Sequence, residues 1–156
     1  MFKTTMTLMV SIAATVLSFS SVTAEELTWR DDIGPIIVAN CGACHGADKP
    51  TYREWRLLSD EDRARIGSRM DTYDHFMSYV IWPATGAMQR RLDDGTNRGD
   101  GPGNMYVFLG STDEERAENL KMVQDWLGEW NLNRWTERDG VPGITKEQLE
   151  AISAQF

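Results

Sequence analysis

Cys41 and Cys44 stand two residues apart and His45 follows the second thiol directly, in the run Cys41-Gly42-Ala43-Cys44-His45. A thiol can add to a vinyl group. At this spacing two thiols reach both vinyls of a single haem while the adjoining imidazole comes beneath the iron, and C-x-x-C-H is the signature of covalent c-type haem attachment. The histidine ligates as a neutral imidazole. A bare Cys-x-x-Cys also serves as the redox pair of thioredoxin-like proteins, where it stands near a βαβ pattern. Here the approach segment, Asp31 to Asn40, reads as a short helix that Asp31 or Asp32 can cap and that tolerates Pro35 in its first turn. The motif therefore predicts one haem c, with Cys41 and Cys44 as thioether positions and His45 as the proximal iron ligand.

Low-spin haem needs a second axial donor, and a methionine thioether raises the potential relative to a second histidine. Met88 closes the run Trp82-Pro83-Ala84-Thr85-Gly86-Ala87-Met88, and Met105 lies in Gly103-Asn104-Met105-Tyr106. Met88 is preferred, because its short turn, braced by a helix and a proline, loses less entropy on ligation. Met105 is the alternative. Met70, Met77 and Met122 fall in helical segments and read as core. His75, in Asp74-His75-Phe76, reads first as a solvated surface histidine and second as a bis-histidine partner. Lys49, Arg53, Arg56, Arg90 and Arg91 lie near the motif or the ligand loop and could pair with haem propionates. Asp93-Asp94-Gly95 reads as a turn, since further alternating oxygen ligands for a metal are missing.

The elements that must hold these residues read as helices. Ser59-Asp60-Glu61-Asp62 starts one that continues to about Met70, after a loop from Gly46 to Tyr52. Asp71 to Trp82 carries Phe76, Tyr79 and Val80 on one face until Pro83 stops it. Ala84 to Gly110, rich in glycine, reads as a long irregular loop. Ser111-Thr112-Asp113-Glu114 caps a helix with Ala117, Leu120, Val123, Leu127 and Trp130 on one face. Thr145 with Gln148 begins a last short helix bearing Leu149, Ile152 and Phe156. No strand pattern competes, so the class is all-α.

Residues 1–24 read as a signal peptide: Lys3, then an uncharged stretch from Met6 to about Phe19, then Val22-Thr23-Ala24 before Glu25. The apolar part falls short of the ~20 residues that a membrane span requires. Since c-type haem is joined to the chain outside the cytoplasm, the expected compartment is the periplasm. Residues 25–156 then form a single domain with a core over about 31–130 and a C-terminal extension over 131–156. Both cysteines belong to the motif, so no structural disulfide is available. The whole chain has 24 acidic and 16 basic side chains, a net charge of −8, and losing Lys3 makes it −9. Such a charge argues against nucleic acid or anionic membrane as partners and suits redox proteins with cationic docking patches.

From Asp31 to Trp130 the chain resembles a class I c-type cytochrome: a first helix running into Cys41-Gly42-Ala43-Cys44-His45, intermediate helices, a loop able to present methionine, and an amphipathic helix. The resemblance implies a helical fold around one covalent haem, with the first and last helices crossed and Trp126 and Trp130 set against Ile33, Ile36 and Ile37. Two features depart from the family. A proline about a dozen residues past its motif often offers its carbonyl to the proximal histidine, whereas here Pro50 comes only five residues later, leaving the acceptor unidentified. The ligand loop is also longer by about seventeen residues, and the tail after Trp130 is an addition that could cover the haem edge or bind a partner.

The function implied is a periplasmic monohaem carrier that passes single electrons between a donor and an acceptor protein, with no bond chemistry of its own. The alternatives are a haem subunit or docking domain of a larger oxidoreductase, which Trp130 and Trp135 in the tail would suit, and a haem protein whose sixth ligand gives way to small gases.

Overall fold

Thr28 sits in extended backbone with its hydroxyl accepting the Asp31 amide, and this cap opens a single π-helical turn, Trp29–Ile33, that runs straight into α1, Gly34–His45. The cap is thus Thr28 and not an aspartate; Asp32 returns the favour by accepting the Thr28 amide at 2.8 Å. The computed structural model describes residues 26–156, so the expected signal peptide lies outside the described residues. The remaining elements are α2 (Tyr52–Leu57), α3 (Asp60–Arg65), α4 (Tyr73–Met77), α5 (Ala87–Leu92), a 3-10 turn (Tyr106–Phe108), α6 (Asp113–Leu127) and α7 (Lys146–Glu150). Among the described residues there is no strand, only two isolated bridges, and no helix is long and apolar enough to cross a membrane.

Several elements differ from the sequence pattern, each for a local reason. A capping box of Thr51 and Glu54 starts α2 directly after Pro50, where the proline suggested only loop. The helix capped by Ser59 stops at Arg65 instead of Met70, because Ile66 turns extended and sends residues 66–70 back towards α1. Of the segment from Asp71 to Trp82, only Tyr73–Met77 is α-helical, followed by tight turns. The glycine-rich stretch from Ala84 to Gly110 contains α5 and the 3-10 turn. The helix over Asp113–Leu127 forms as expected on its Thr112 cap, and Gly128, at φ +71°, ends it before Trp130.

The core is aromatic at its centre. Trp29 stacks at 5.2 Å on Phe76 and 5.9 Å on Trp126, which lies 5.9 Å from Phe76. Ile33, Ile37, Val80, Leu120, Val123 and Leu127 are buried around them. Trp126 therefore packs on Trp29 at the entry to α1. Trp130 does not: its indole N–H donates to Asp93 Oδ1 at 3.0 Å.

The extension clasps the start of the chain. Gln155 offers one carbonyl to both the Trp29 amide (2.9 Å) and the Trp126 indole (2.7 Å), while Tyr73 donates to the Ala154 carbonyl at 2.8 Å. Farther back, the extension lies against the start of α5. Gly86 is left-handed at φ +66°, and a Cβ there would come within 2.3 Å of the Asn133 carbonyl. Arg90 reaches the carbonyls of Leu132 (2.7 Å), Asn133 (3.3 Å) and Thr85 (3.1 Å). Trp135 is exposed and stacks edge-on against Trp82 at 5.1 Å.

Asp93-Asp94-Gly95 forms the expected turn, but Asp93 is wholly buried. Its carboxylate accepts from the Gly95 amide (3.0 Å), the Asn97 amide (3.3 Å), the Asn97 side chain (2.7 Å) and Trp130. Burial works to raise its pKa, yet the donors of Asn97, Trp130 and Gly95 outweigh it and hold the carboxyl below the usual aspartate value. A depressed folded-state pKa gives stability that is complete above the unfolded value of ~3.9 and lost as pH falls through the folded value. Asp93→Asn should thus lower unfolding free energy at neutral pH by ~1–3 kcal/mol, and the gap between wild type and variant should close as denaturation curves are taken below about pH 4.

Candidate cofactor site

The last turn of α1 presents Cys41, Cys44 and His45 at the wall of a cavity of about 490 Å³, also lined by Ile37, Phe76, Leu92 and Phe108. Its volume falls within the ~300–1,000 Å³ usual for sites that enclose a small ligand or cofactor. Cys41 is half-buried and Cys44 exposed, and the two are not joined to each other. Before haem is joined, burial first and then the neighbouring Cys44 push the Cys41 thiol up to about 11.

The orientation of His45 is fixed by a backbone group. Its Nδ1 lies 2.6 Å from the carbonyl oxygen of Ser68. A carbonyl only accepts, so Nδ1 carries the proton and the lone pair resides on Nε2, the nitrogen left for a metal. Residues 66–70 are held in place to make this contact: the Met70 amide donates to the His45 carbonyl at 2.9 Å, and the Arg69 amide donates to the Pro50 carbonyl at 2.8 Å. Ser68 thus supplies the acceptor that the proline supplies in the resembling family, and Pro50 holds the segment that carries it. Gly67 makes the approach possible. A Cβ at residue 67 would stand 2.2 Å from the Cys44 carbonyl and 3.0 Å from Nδ1 and Cε1 of His45.

Met88 and Met105 both line the cavity. Met88 is 5% exposed, stands on α5, and donates its amide to the Tyr79 carbonyl at 3.0 Å. Met105 is partly buried just before the 3-10 turn, with its amide on the Arg91 carbonyl at 3.0 Å. Met70 reaches the same cavity from beside the histidine, while Met77 and Met122 pack in or against the core, as expected. His75 does not line the cavity. Its Nδ1 lies 2.7 Å from the Thr72 hydroxyl at the cap of α4.

The cations differ from those proximity in sequence suggested. Arg91 lines the cavity and holds Asn104 at 3.2 Å. Lys49, Arg53, Arg56 and Arg90 do not line it. Burial, then the nearby Arg134, Arg91 and Arg98, lowers the Arg90 guanidinium to about 10, and its hydrogen bonds are spent on carbonyls. Arg63 and Arg65 of α3 line the cavity instead, with Arg63 stacked 5.7 Å over Trp55. Only the return of the chain at Ile66 brings that helix to the site, a long-range placement with no local sequence signal. No residue of the extension lines the cavity.

Two thiols, an imidazole with a free Nε2, thioether sulfurs, apolar walls and guanidinium groups suited to carboxylates together fit a haem joined through Cys41 and Cys44.

Residues 28–156 match the PccH cytochrome c family. A solved structure, that of the monohaem cytochrome PccH from Geobacter sulfurreducens, is similar to this chain at 46% identity and a TM-score of 0.74, covering 85% of this chain and 100% of that one. Among curated proteins none matches. The likeness agrees with an all-α, cytochrome c-like fold.

Gly67→Ala should force the segment bearing Ser68 away from His45. The expected result is a loss of ~1–3 kcal/mol in denaturant unfolding together with a changed His45 resonance in the NMR spectrum. An unaltered histidine environment would show that the contact tolerates a methyl.

Proposed function

The chain belongs to the PccH cytochrome c family and holds one covalently bound haem c, and we propose that it is a periplasmic carrier of single electrons and not an enzyme. Cys41 and Cys44 are its thioether positions, His45 the proximal ligand and Met88 the distal one. When bound, the haem supplies the one-electron chemistry of its iron. The chain's own residues bind it, orient it and keep water from it.

One observation carries the ligand reading: the Ser68 carbonyl fixes the tautomer of His45 so that Nε2 is free at a cavity that Met88 also lines. An acceptor on the far ring nitrogen raises the basicity of a ligating imidazole and holds its ring plane. Met88 is favoured over Met105 because α5 and the bond to Tyr79 fix its backbone before ligation, so less entropy is lost. Arg91, whose guanidinium holds only Asn104, would pair with a propionate, and Arg63 and Arg65 could do so by exchanging their partners Asp60 and Asp62.

The periplasm is supported by the signal-like segment 1–24 and by attachment of c-type haem outside the cytoplasm. The partners are redox proteins serving as donor and acceptor, and the net charge of −9 expected after Lys3 is lost favours cationic docking faces.

Replacing Cys41 and Cys44 together with alanine should abolish haem staining on a denaturing gel. Met88→Ala should turn the ferric haem high-spin or water-ligated and lower its potential in an equilibrium titration, while Met105→Ala keeps the ligand spectrum and loses ~2–5 kcal/mol of stability. The opposite pattern would make Met105 the ligand. Carbon monoxide binding to the ferrous wild type without unfolding would overturn the closed-site carrier.

A further inference from the structure

Tyr79 is buried, at 5% exposure, and lines the cavity, and it touches the supports of both proposed axial ligands by two different groups. Its hydroxyl donates to the Ser68 hydroxyl, and Ser68 is the residue whose carbonyl receives the His45 proton at 2.6 Å. Its backbone carbonyl accepts the Met88 amide at 3.0 Å. The ring is fixed edge-on against Tyr52 at 5.2 Å and 87°. We propose that Tyr79 is a positioning residue that ties the proximal and distal supports together and, through Ser68, sets the strength of the hydrogen bond on His45 and with it the reduction potential.

The proposal rests on the reading of His45 and Met88 as the iron ligands. Burial pushes the Tyr79 phenol up to about 12 against the opposing pull of its bond to Ser68, so the hydroxyl keeps its proton and stays a donor across the working pH range. Ser68 is 4% exposed, so its hydroxyl has little access to water as a substitute partner. Without the Tyr79 hydroxyl, the peptide of residue 68 is less firmly held and its carbonyl draws less on the Nδ1 proton. A weaker acceptor leaves the imidazole less basic, and a less electron-rich imidazole favours ferrous over ferric iron. The potential therefore rises.

The experiment is a redox titration of the holoprotein alongside NMR of the His45 Nδ1 proton, in wild type, Tyr79→Phe, Ser68→Ala and the double variant. Tyr79→Phe keeps the ring and the carbonyl that holds Met88, while Ser68→Ala keeps the carbonyl that holds His45, so each single variant isolates the hydroxyl contact. Both should raise the potential by similar amounts, the double variant should rise no further than either, and Nδ1 proton exchange should quicken by up to about fivefold, the ceiling set by loss of one whole ordinary hydrogen bond. The histidine–methionine absorption spectrum should persist throughout. Potentials and exchange rates unchanged from wild type, or shifts that add in the double variant, would overturn the role of Tyr79. A wild-type spectrum without low-spin histidine–methionine ligation would overturn the ligand reading and the proposal with it, and is told apart by appearing before any substitution is made.

Discussion

The hydrogen bond from His45 Nδ1 to the Ser68 carbonyl is the constraint around which the site is arranged. It selects one tautomer, and the price is that an extended segment must run against the last turn of α1. That requirement explains why α3 stops at Arg65, why residue 67 has no side chain, and why Pro50 and His45 both spend their carbonyls on amides of residues 69 and 70. Any side chain at residue 67 would enter the space of the Cys44 carbonyl. The same turn of the chain brings Arg63 and Arg65 to the cavity, so the orientation of the imidazole and the placing of these cations follow from one backbone path.

The extension does its work away from the cavity. The core closes when the Gln155 carbonyl accepts from Trp29 and Trp126 at once, bringing the entry to α1, the end of α6 and the tail together. A second seam joins the tail to α5 through Gly86, Arg90 and the bond between the buried Asp93 and the half-buried Trp130. The same helix, α5, carries Met88 at the wall of the cavity. Arg90, one residue from the cavity-lining Arg91, is committed to that seam, and its cost of burial is met by carbonyl oxygens.

What could be read from sequence was local. Cys41, Cys44 and His45 declare themselves by spacing alone, and the caps at Thr112 and Thr145 mark α6 and α7 because a hydroxyl and its amide lie within one turn. Thr51 with Glu54 carried the same signal, masked by the preceding proline. Ser68 and Gly67 carry none, and Tyr79 shows only as one member of an apolar face: each makes its contact across the fold, and a serine whose backbone carbonyl does the work cannot be told from any other residue by its type. Asp93 shows the same limit in another way. Its turn was legible, while its burial beneath Trp130 depends on where α6 ends. Both Met88 and Met105 reach the cavity, which is why two methionines in one loop could not be separated by pattern.

The pairing of Trp29 with Gln155 also bears on the order in which the molecule can assemble. It closes nearly the whole described chain into one loop, and the entropy of closing a loop grows with the logarithm of its length. The thiols and imidazole of the motif, by contrast, lie within two turns of one helix and need no distant partner to form. Contacts of long sequence separation belong to the slow part of folding. Closure of the tail on the entry to α1 therefore depends on nearly the whole described chain being in place, whereas the helix that carries the motif does not.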